Sequence, residues 1–178
     1  HITDFDGDDK TDMYLANAEP HVMIPIYKAS YEAILEKKIV KDSIFTFDTT
    51  AVAGIMDSFQ VVRNFKEIKT REIEYYKIIW DQDLLNILNG KIKSLVEQAG
   101  KENVKTSFVI SGIDDEKAKA LTEATGINAE IFTADEKLLK TIMRSNPGII
   151  LWKNGVLLHK WHYKKLPDWA TIKSEFLK

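Results

Sequence analysis

Five sets of residues have the types and spacing to do chemistry. Asp4, Asp6, Asp8 and Asp12 stand at positions 1, 3, 5 and 9 of a loop with Gly7 at position 4. Clustered oxygens around a sharp turn suit a hard cation such as calcium. Leu15, however, occupies the place of the bidentate glutamate that completes such loops. The competing reading is an acidic surface turn in which Thr11 or Asp9 caps a short helix over residues 11–17. Asp81 and Asp83 form a carboxylate pair suited to acid–base work. With no third group in view, capping of the following helix by Asp83 is the favoured reading. His159 and His162 are three apart on an expected strand, which turns their side chains to opposite faces and argues against a shared metal. Ser145, Asn146 and Tyr163 offer hydroxyl and amide groups, but no base stands beside them in sequence to activate a nucleophile. Trp80, Trp152, Trp161 and Trp169 could line a ligand surface. Three of them fall in apolar strand-like runs, where packing is the simpler role.

Composition removes other chemistries. The 178 residues include no cysteine, which excludes disulfides, a cysteine nucleophile, thiolate zinc sites and dithiol redox chemistry. A net charge of −2 gives no electrostatic case for nucleic acid or an anionic membrane. Charge is nevertheless segregated, because the first 19 residues hold six acids and one lysine. No apolar run reaches the roughly 18 residues of a membrane span. The sequence opens on His1, which reads as a mature or truncated piece from which a signal or anchor was removed. The length suits one domain, or one domain with an appendage.

Certain elements must position these residues. Residues 20–70 lean towards β-structure. Val22–Tyr27 is apolar but carries Pro25, the mark of an edge or irregular strand. Residues 31–38 have weak helical spacing, residues 43–47 and 58–65 alternate like strands, and Gly54 marks a turn between them. From residue 71 the pattern is regular. Residues 73–80 predict a buried strand and residues 84–99 a helix capped by Gly100. A strand over 104–110 follows, then a helix over 114–125 stopped by Gly126. A strand over 128–133 and a helix over 135–144 lead to the tight joint Ser145-Asn146-Pro147-Gly148. Strands over 148–152 and 156–161 flank Lys153-Asn154-Gly155, a strong hairpin signal. A last helix over 166–177 has Pro167 at its expected first position.

This order resembles thioredoxin-like domains, through the stretch Asn146-Pro147-Gly148-Ile149-Ile150-Leu151-Trp152-Lys153-Asn154-Gly155-Val156. The resemblance implies a cis proline at Pro147, entering an apolar strand that ends in Lys-Asn-Gly. The stretch Leu139 to Gly148, with Lys153-Asn154-Gly155-Val156 and Lys160-Trp161-His162, is similar to the extracytoplasmic thioredoxin-like tail of bacterial DoxX-like membrane proteins. The acidic stretch from Asp6 to Asp12 resembles what precedes that tail. The redox members of the fold carry Cys-x-x-Cys where the first strand meets its helix. Here that junction reads Trp80-Asp81-Gln82-Asp83-Leu84-Leu85-Asn86-Ile87, with Leu84 and Ile87 near the cysteine positions.

The expectation is thus an α/β thioredoxin-like fold, a central mixed sheet flanked by helices. Residues 1–70 would be an acidic turn and a β-rich extension that could join the same sheet, and residues 71–178 the thioredoxin-like domain. The expected role is a non-catalytic binding or scaffold domain without cofactor or metal, outside the cytoplasm and membrane-associated only through a parent protein. A protein or peptide would bind a groove bounded by Trp80, Asp81, Asp83, Arg144, Ser145, Asn146, Pro147 and Trp152. The alternatives are a glutathione- or thiol-conjugate-handling enzyme, which the resemblance implies could use Ser145, Asn146 and Tyr163, and a calcium-stabilised module.

Overall fold

The structure is a computed structural model that describes residues 1–51 and 59–177. In chain order its strands are β1 (Ile2–Thr3), β2 (His21–Ile26), β3 (Tyr31–Ala51), β4 (Phe59–Trp80), β5 (Lys105–Ile110), β6 (Glu130–Ala134), β7 (Gly148–Lys153) and β8 (Val156–His162). The α-helices are α1 (Asp12–Leu15), α2 (Gln82–Ile87), α3 (Lys93–Lys101), α4 (Asp115–Thr125), α5 (Glu136–Ile142) and α6 (Trp169–Phe176). Among the described residues, six strands form one sheet in the order β1-β6-β5-β2-β7-β8, and β3 and β4 form a separate two-stranded sheet. In the larger sheet β2, β5 and β6 run parallel, while β7 is antiparallel to β2 and β8 to β7.

The sheet is apolar on both sides, and strand alternation sorts its residues into two cores. Val22, Ile24, Phe108, Ile110, Ile149 and Leu151 enter one core with Leu88, Ile92, Leu121 and Ile172 from helical segments. Met23, Val109, Phe132 and Ile150 enter the other, against Tyr14 of α1 and Leu139 of α5. Helices thus cover both faces.

The hairpin forms as its sequence requires. Asn154 and Gly155 have φ of 52° and 69°, the two positive values of a tight turn between twisted strands. A side chain at Gly155 would run into the carbonyl oxygen of Leu15.

Several expectations are corrected. Val22–Tyr27 does not yield an edge strand: β2 is interior, between β5 and β7. Pro25 is tolerated there because β2 pairs β7 only from His21 to Met23, so one side of the strand is unpaired at the proline. Residues 31–38 are strand, not helix. Residues 73–80 are not the strand that leads the sheet; they end β4. The turn expected at Gly54 lies outside the described residues. The helix expected over 84–99 is interrupted at Gly90 (φ −83°, ψ −126°), where a π-type turn, Leu88–Ile92, joins α2 to α3. Gly100 lies inside α3 rather than capping it. Pro167 precedes the Asp168 cap of α6 instead of opening the helix.

The chain divides into two compact units, one of residues 1–32 and 78–178 and one of residues 33–77. This differs from a boundary at residue 70, because β2 lies deep in the first unit while most of β3 and β4 form the second. The second unit is an antiparallel ribbon. Its cross-strand contacts descend in register, from Glu36 with Tyr75 through Asp42 with Arg71 to Asp48 with Asn64.

Candidate functional site

The joint between α5 and β7 is the feature that sequence marks most clearly. Asp135 caps α5 by accepting from the amides of Lys137 and Leu138. The helix ends at Ile142, and the chain turns through Met143–Asn146 into a cis Asn146–Pro147 bond. Three local interactions hold this turn. The Ser145 hydroxyl, buried, donates to the Pro147 carbonyl. The Tyr27 hydroxyl donates to the Arg144 carbonyl at 3.4 Å. Asn146 reaches the segment after β2, donating from Nδ2 to the Lys28 carbonyl at 2.6 Å and accepting from the Lys28 amide at 3.2 Å.

The start of α2 is tied to the same segment. The Asp81 amide donates to the Ser30 carbonyl at 3.0 Å, and the Asp81 carboxylate accepts from the Leu84 amide at 3.0 Å. Asp81, not Asp83, is therefore the N-cap; Asp83 sits in the first turn, where its charge favours the helix N-terminus. Residues 27–30 run between the joint and this turn and are bonded to both.

The tryptophans separate. Trp80 is buried in the first core with Tyr31 edge-on at 5.2 Å, so it lines no surface. Trp152 belongs with the second core, near Tyr14 at 6.2 Å. It borders an apolar cavity of about 210 Å³ with Met23, Leu138 and Ile142. Trp161 and Trp169 are buried in the first core. Of the expected groove residues, Arg144, Ser145, Asn146 and Pro147 are contiguous at the joint, Asp81 and Asp83 stand at the start of α2, Trp80 is buried in the first core and Trp152 packs against the second. Leu84 is buried and Ile87 half-buried, both against the first core.

Cations border the joint. Lys140 lies 5.3 Å from the Tyr27 ring, and its bond to Glu136 raises its pKa above the ordinary lysine value. Lys160 donates to the Ile142 carbonyl at 2.6 Å. Arg144 and Lys28 are both exposed.

The remaining candidates resolve into structural roles. Asp4 accepts from the amides of Asp6 and Asp8 and pairs with Lys10 at 2.9 Å. The bond from Lys10 holds its carboxyl below the usual range. Among the described residues, no three His, Asp or Glu side chains converge as a metal site would need. Thr11 does not cap α1; its hydroxyl accepts from the Ile2 amide at 3.0 Å. His159 stacks near Trp161 and Phe176, while the His162 Nδ1 accepts from the Lys164 amide at 3.2 Å.

One polar cluster was not anticipated. His21 is buried in β2 with its Nε2 2.9 Å from the Ser107 hydroxyl, and the Tyr14 hydroxyl is 2.6 Å from the same oxygen. Burial, with Lys105 adding repulsion, pushes the His21 pKa down from 6.5 to about 4. Burial drives the Tyr14 pKa up. The pairing of β2 with β5 brings His21 to Ser107, α1 adds Tyr14, and no local spacing announces the cluster.

The central strands define the class. β2 and β5 run parallel with helix between them, β7 enters antiparallel behind a cis proline, and β8 closes the hairpin. This is a thioredoxin-like fold. Without cysteine, the chain's own side chains cannot perform thiol–disulfide exchange. Among the described residues, no helix is long and apolar enough to cross a membrane. No family model matches the chain, and no curated protein matches it. Among solved structures, a secreted Mycobacterium tuberculosis disulfide oxidoreductase homologous to E. coli DsbE is similar at a TM-score of 0.45 and 9% identity, over 90% of this chain and 81% of that one. That likeness carries nothing about activity.

Proposed function

We propose that this chain is a redox-inactive binding domain that takes an extended peptide segment along the backbone of Arg144–Asn146. The observation that carries this reading is the joint itself. The Ser145 hydroxyl and Asn146 amide are spent on fixing the turn, so the rigid backbone beside Pro147 is the recognition element. Extended segments are recognised in this way through main-chain hydrogen bonds, without a catalytic side chain. Lys28, Lys140, Arg144 and Lys160 around the joint favour a segment with acidic side chains. The enzyme alternative loses support, since the Ser145 hydroxyl is buried and already donating.

The test is selection from a library of ten-residue peptides, followed by amide shift mapping. The expected result is acidic ligands whose shifts cluster at residues 27–30 and 144–148, with binding weakened several-fold by Arg144→Ala and by added salt. Binders that shift residues elsewhere, or that ignore Arg144→Ala in a folded chain, would overturn the assignment.

The likeness of residues 139–162 to DoxX-like tails supports a finer reading, that the domain is the extracytoplasmic part of such a membrane protein. A topology reporter fused behind residue 178 of the parent protein tests it. Reporter activity on the cytoplasmic side would refute it.

A further inference from the structure

Neither the fold nor the peptide site explains the cavity beside Trp152. Protein cores keep few voids larger than a water molecule. Here a space of about 210 Å³ lies among α1, α5 and the strands β2 and β7. Its floor is Met23 and Tyr14, which are 0% and 2% exposed. Its rim includes Leu15, which is 54% exposed, and the half-buried Leu138 and Ile142. Solvent therefore reaches the space past α1, a helix of one turn.

Size, charge and polarity define the occupant. An apolar cavity of about 150 Å³ accepts benzene, whereas drug-sized ligands need about 300 Å³ or more. The volume between these limits suits one ring with a short substituent. Among the described residues, two side chains on the lining are titratable, His1 and Tyr14. Both are already bonded, His1 to Asp9 and the Tyr14 hydroxyl to Ser107. An ionised ligand would find no free countercharge there and would lose its hydration. Trp152 Nε1 is buried and has no partner among the described residues. A buried donor left unpaired is costly, and an acceptor on a ligand removes that cost. Two other tryptophans with an unpaired Nε1 stand elsewhere. Trp80 is enclosed in the first core. Trp169 borders a groove of charged side chains, where Lys173 and then the Trp169 indole hold the Glu102 carboxyl below the usual range.

We infer that the cavity beside Trp152 binds a small uncharged molecule, largely hydrocarbon, whose single acceptor takes the hydrogen bond of Trp152 Nε1. The site is separate from the joint at Arg144–Asn146 and does not rest on the peptide reading.

Three probes test it. Acetophenone and ethylbenzene have nearly the same shape and differ by a carbonyl, and benzoate adds a charge. Each is titrated into the isotope-labelled chain while methyl and indole N–H resonances are followed. Both neutral probes are expected to shift the methyl groups of Leu15, Met23, Leu138 and Ile142. Acetophenone is expected to move the Trp152 indole N–H further downfield than ethylbenzene does, and benzoate to leave both sets unmoved. Trp152→Phe is expected to weaken acetophenone relative to ethylbenzene by roughly two- to tenfold, the worth of one hydrogen bond. Should that variant fold poorly, the indole N–H shift in the native chain decides the point. Three results would overturn the inference: no methyl shift with either neutral probe up to its solubility limit, benzoate binding as tightly as acetophenone, or a Trp152 indole N–H that responds alike to both neutral probes.

Discussion

Asn146 holds the backbone of Lys28 at both polar atoms, donating to its carbonyl and accepting from its amide. One side chain thereby does for Lys28 what a neighbouring strand would do, just beyond the end of β2. The peptide-binding reading depends on this clamp, because it fixes the joint beside Pro147 to the middle of the sheet.

Asn146→Ala removes both bonds. At roughly 0.5–1.5 kcal/mol net for each hydrogen bond, the loss is about 1–3 kcal/mol. Asn146→Asp is expected to be worse than alanine, since an acceptor then faces the Lys28 carbonyl. Urea titrations of the three chains check both the size and the order.

Asp81 and Asp83 differ in role, and mutation separates them. Asp81→Ala forfeits the cap on the Leu84 amide and is expected to lower stability by about 1 kcal/mol. Asp83→Ala loses only a favourable charge in the first turn, a few tenths of that. Equal effects in thermal melts would contradict the assignment of the cap.

His21 predicts a pH dependence. Its pKa is lowered from 6.5 in the unfolded chain to about 4 in the fold, so between those values the unfolded state binds the extra proton. The stabilisation of the neutral ring is complete above pH 6.5 and is lost as pH falls towards 4, on the order of 3 kcal/mol. His21→Gln is expected to flatten the stability profile across that window. A profile unchanged by the substitution would show that His21 is not the group responsible.

Gly155→Ala meets both a positive φ and the Leu15 carbonyl. The left-handed conformation alone costs about 1–2 kcal/mol for a residue with a side chain. Asn154→Gly, where φ is positive but the native residue already bears a side chain, is expected to be nearly neutral. Melting temperatures of the two variants give the comparison.

The parts of this fold legible in sequence are those whose signals are local. Asn154-Gly155 specifies its turn through backbone preference, and the helix of Asp115–Thr125 announces itself by an acidic start and the left-handed Gly126. Residues 73–80 illustrate the limit. Their β-branched and aromatic content favours extended backbone, but it does not say which strand lies alongside. A strand that pairs, among the described residues, only with β3 therefore reads the same as one that leads a buried sheet. Pro25 misled for the opposite reason: proline forbids one ladder hydrogen bond, and β2 places it where that bond is not needed. At the candidate site, Arg144–Pro147 could be picked out because they are contiguous. The Lys28 clamp and the His21–Ser107–Tyr14 cluster could not, since each depends on contacts across tens of residues.

The bond between the Asp81 amide and the Ser30 carbonyl brings together two points some fifty residues apart in sequence. Closing so long a loop in a floppy chain costs on the order of 3 kcal/mol of chain entropy. Cross-strand pairs such as Asp48 with Asn64, Asp42 with Arg71 and Glu36 with Tyr75 divide that closure into shorter steps. The excursion thus arrives at the helix start with its ends already side by side, and the fold carries an insertion of this size at the entropic expense of a short loop.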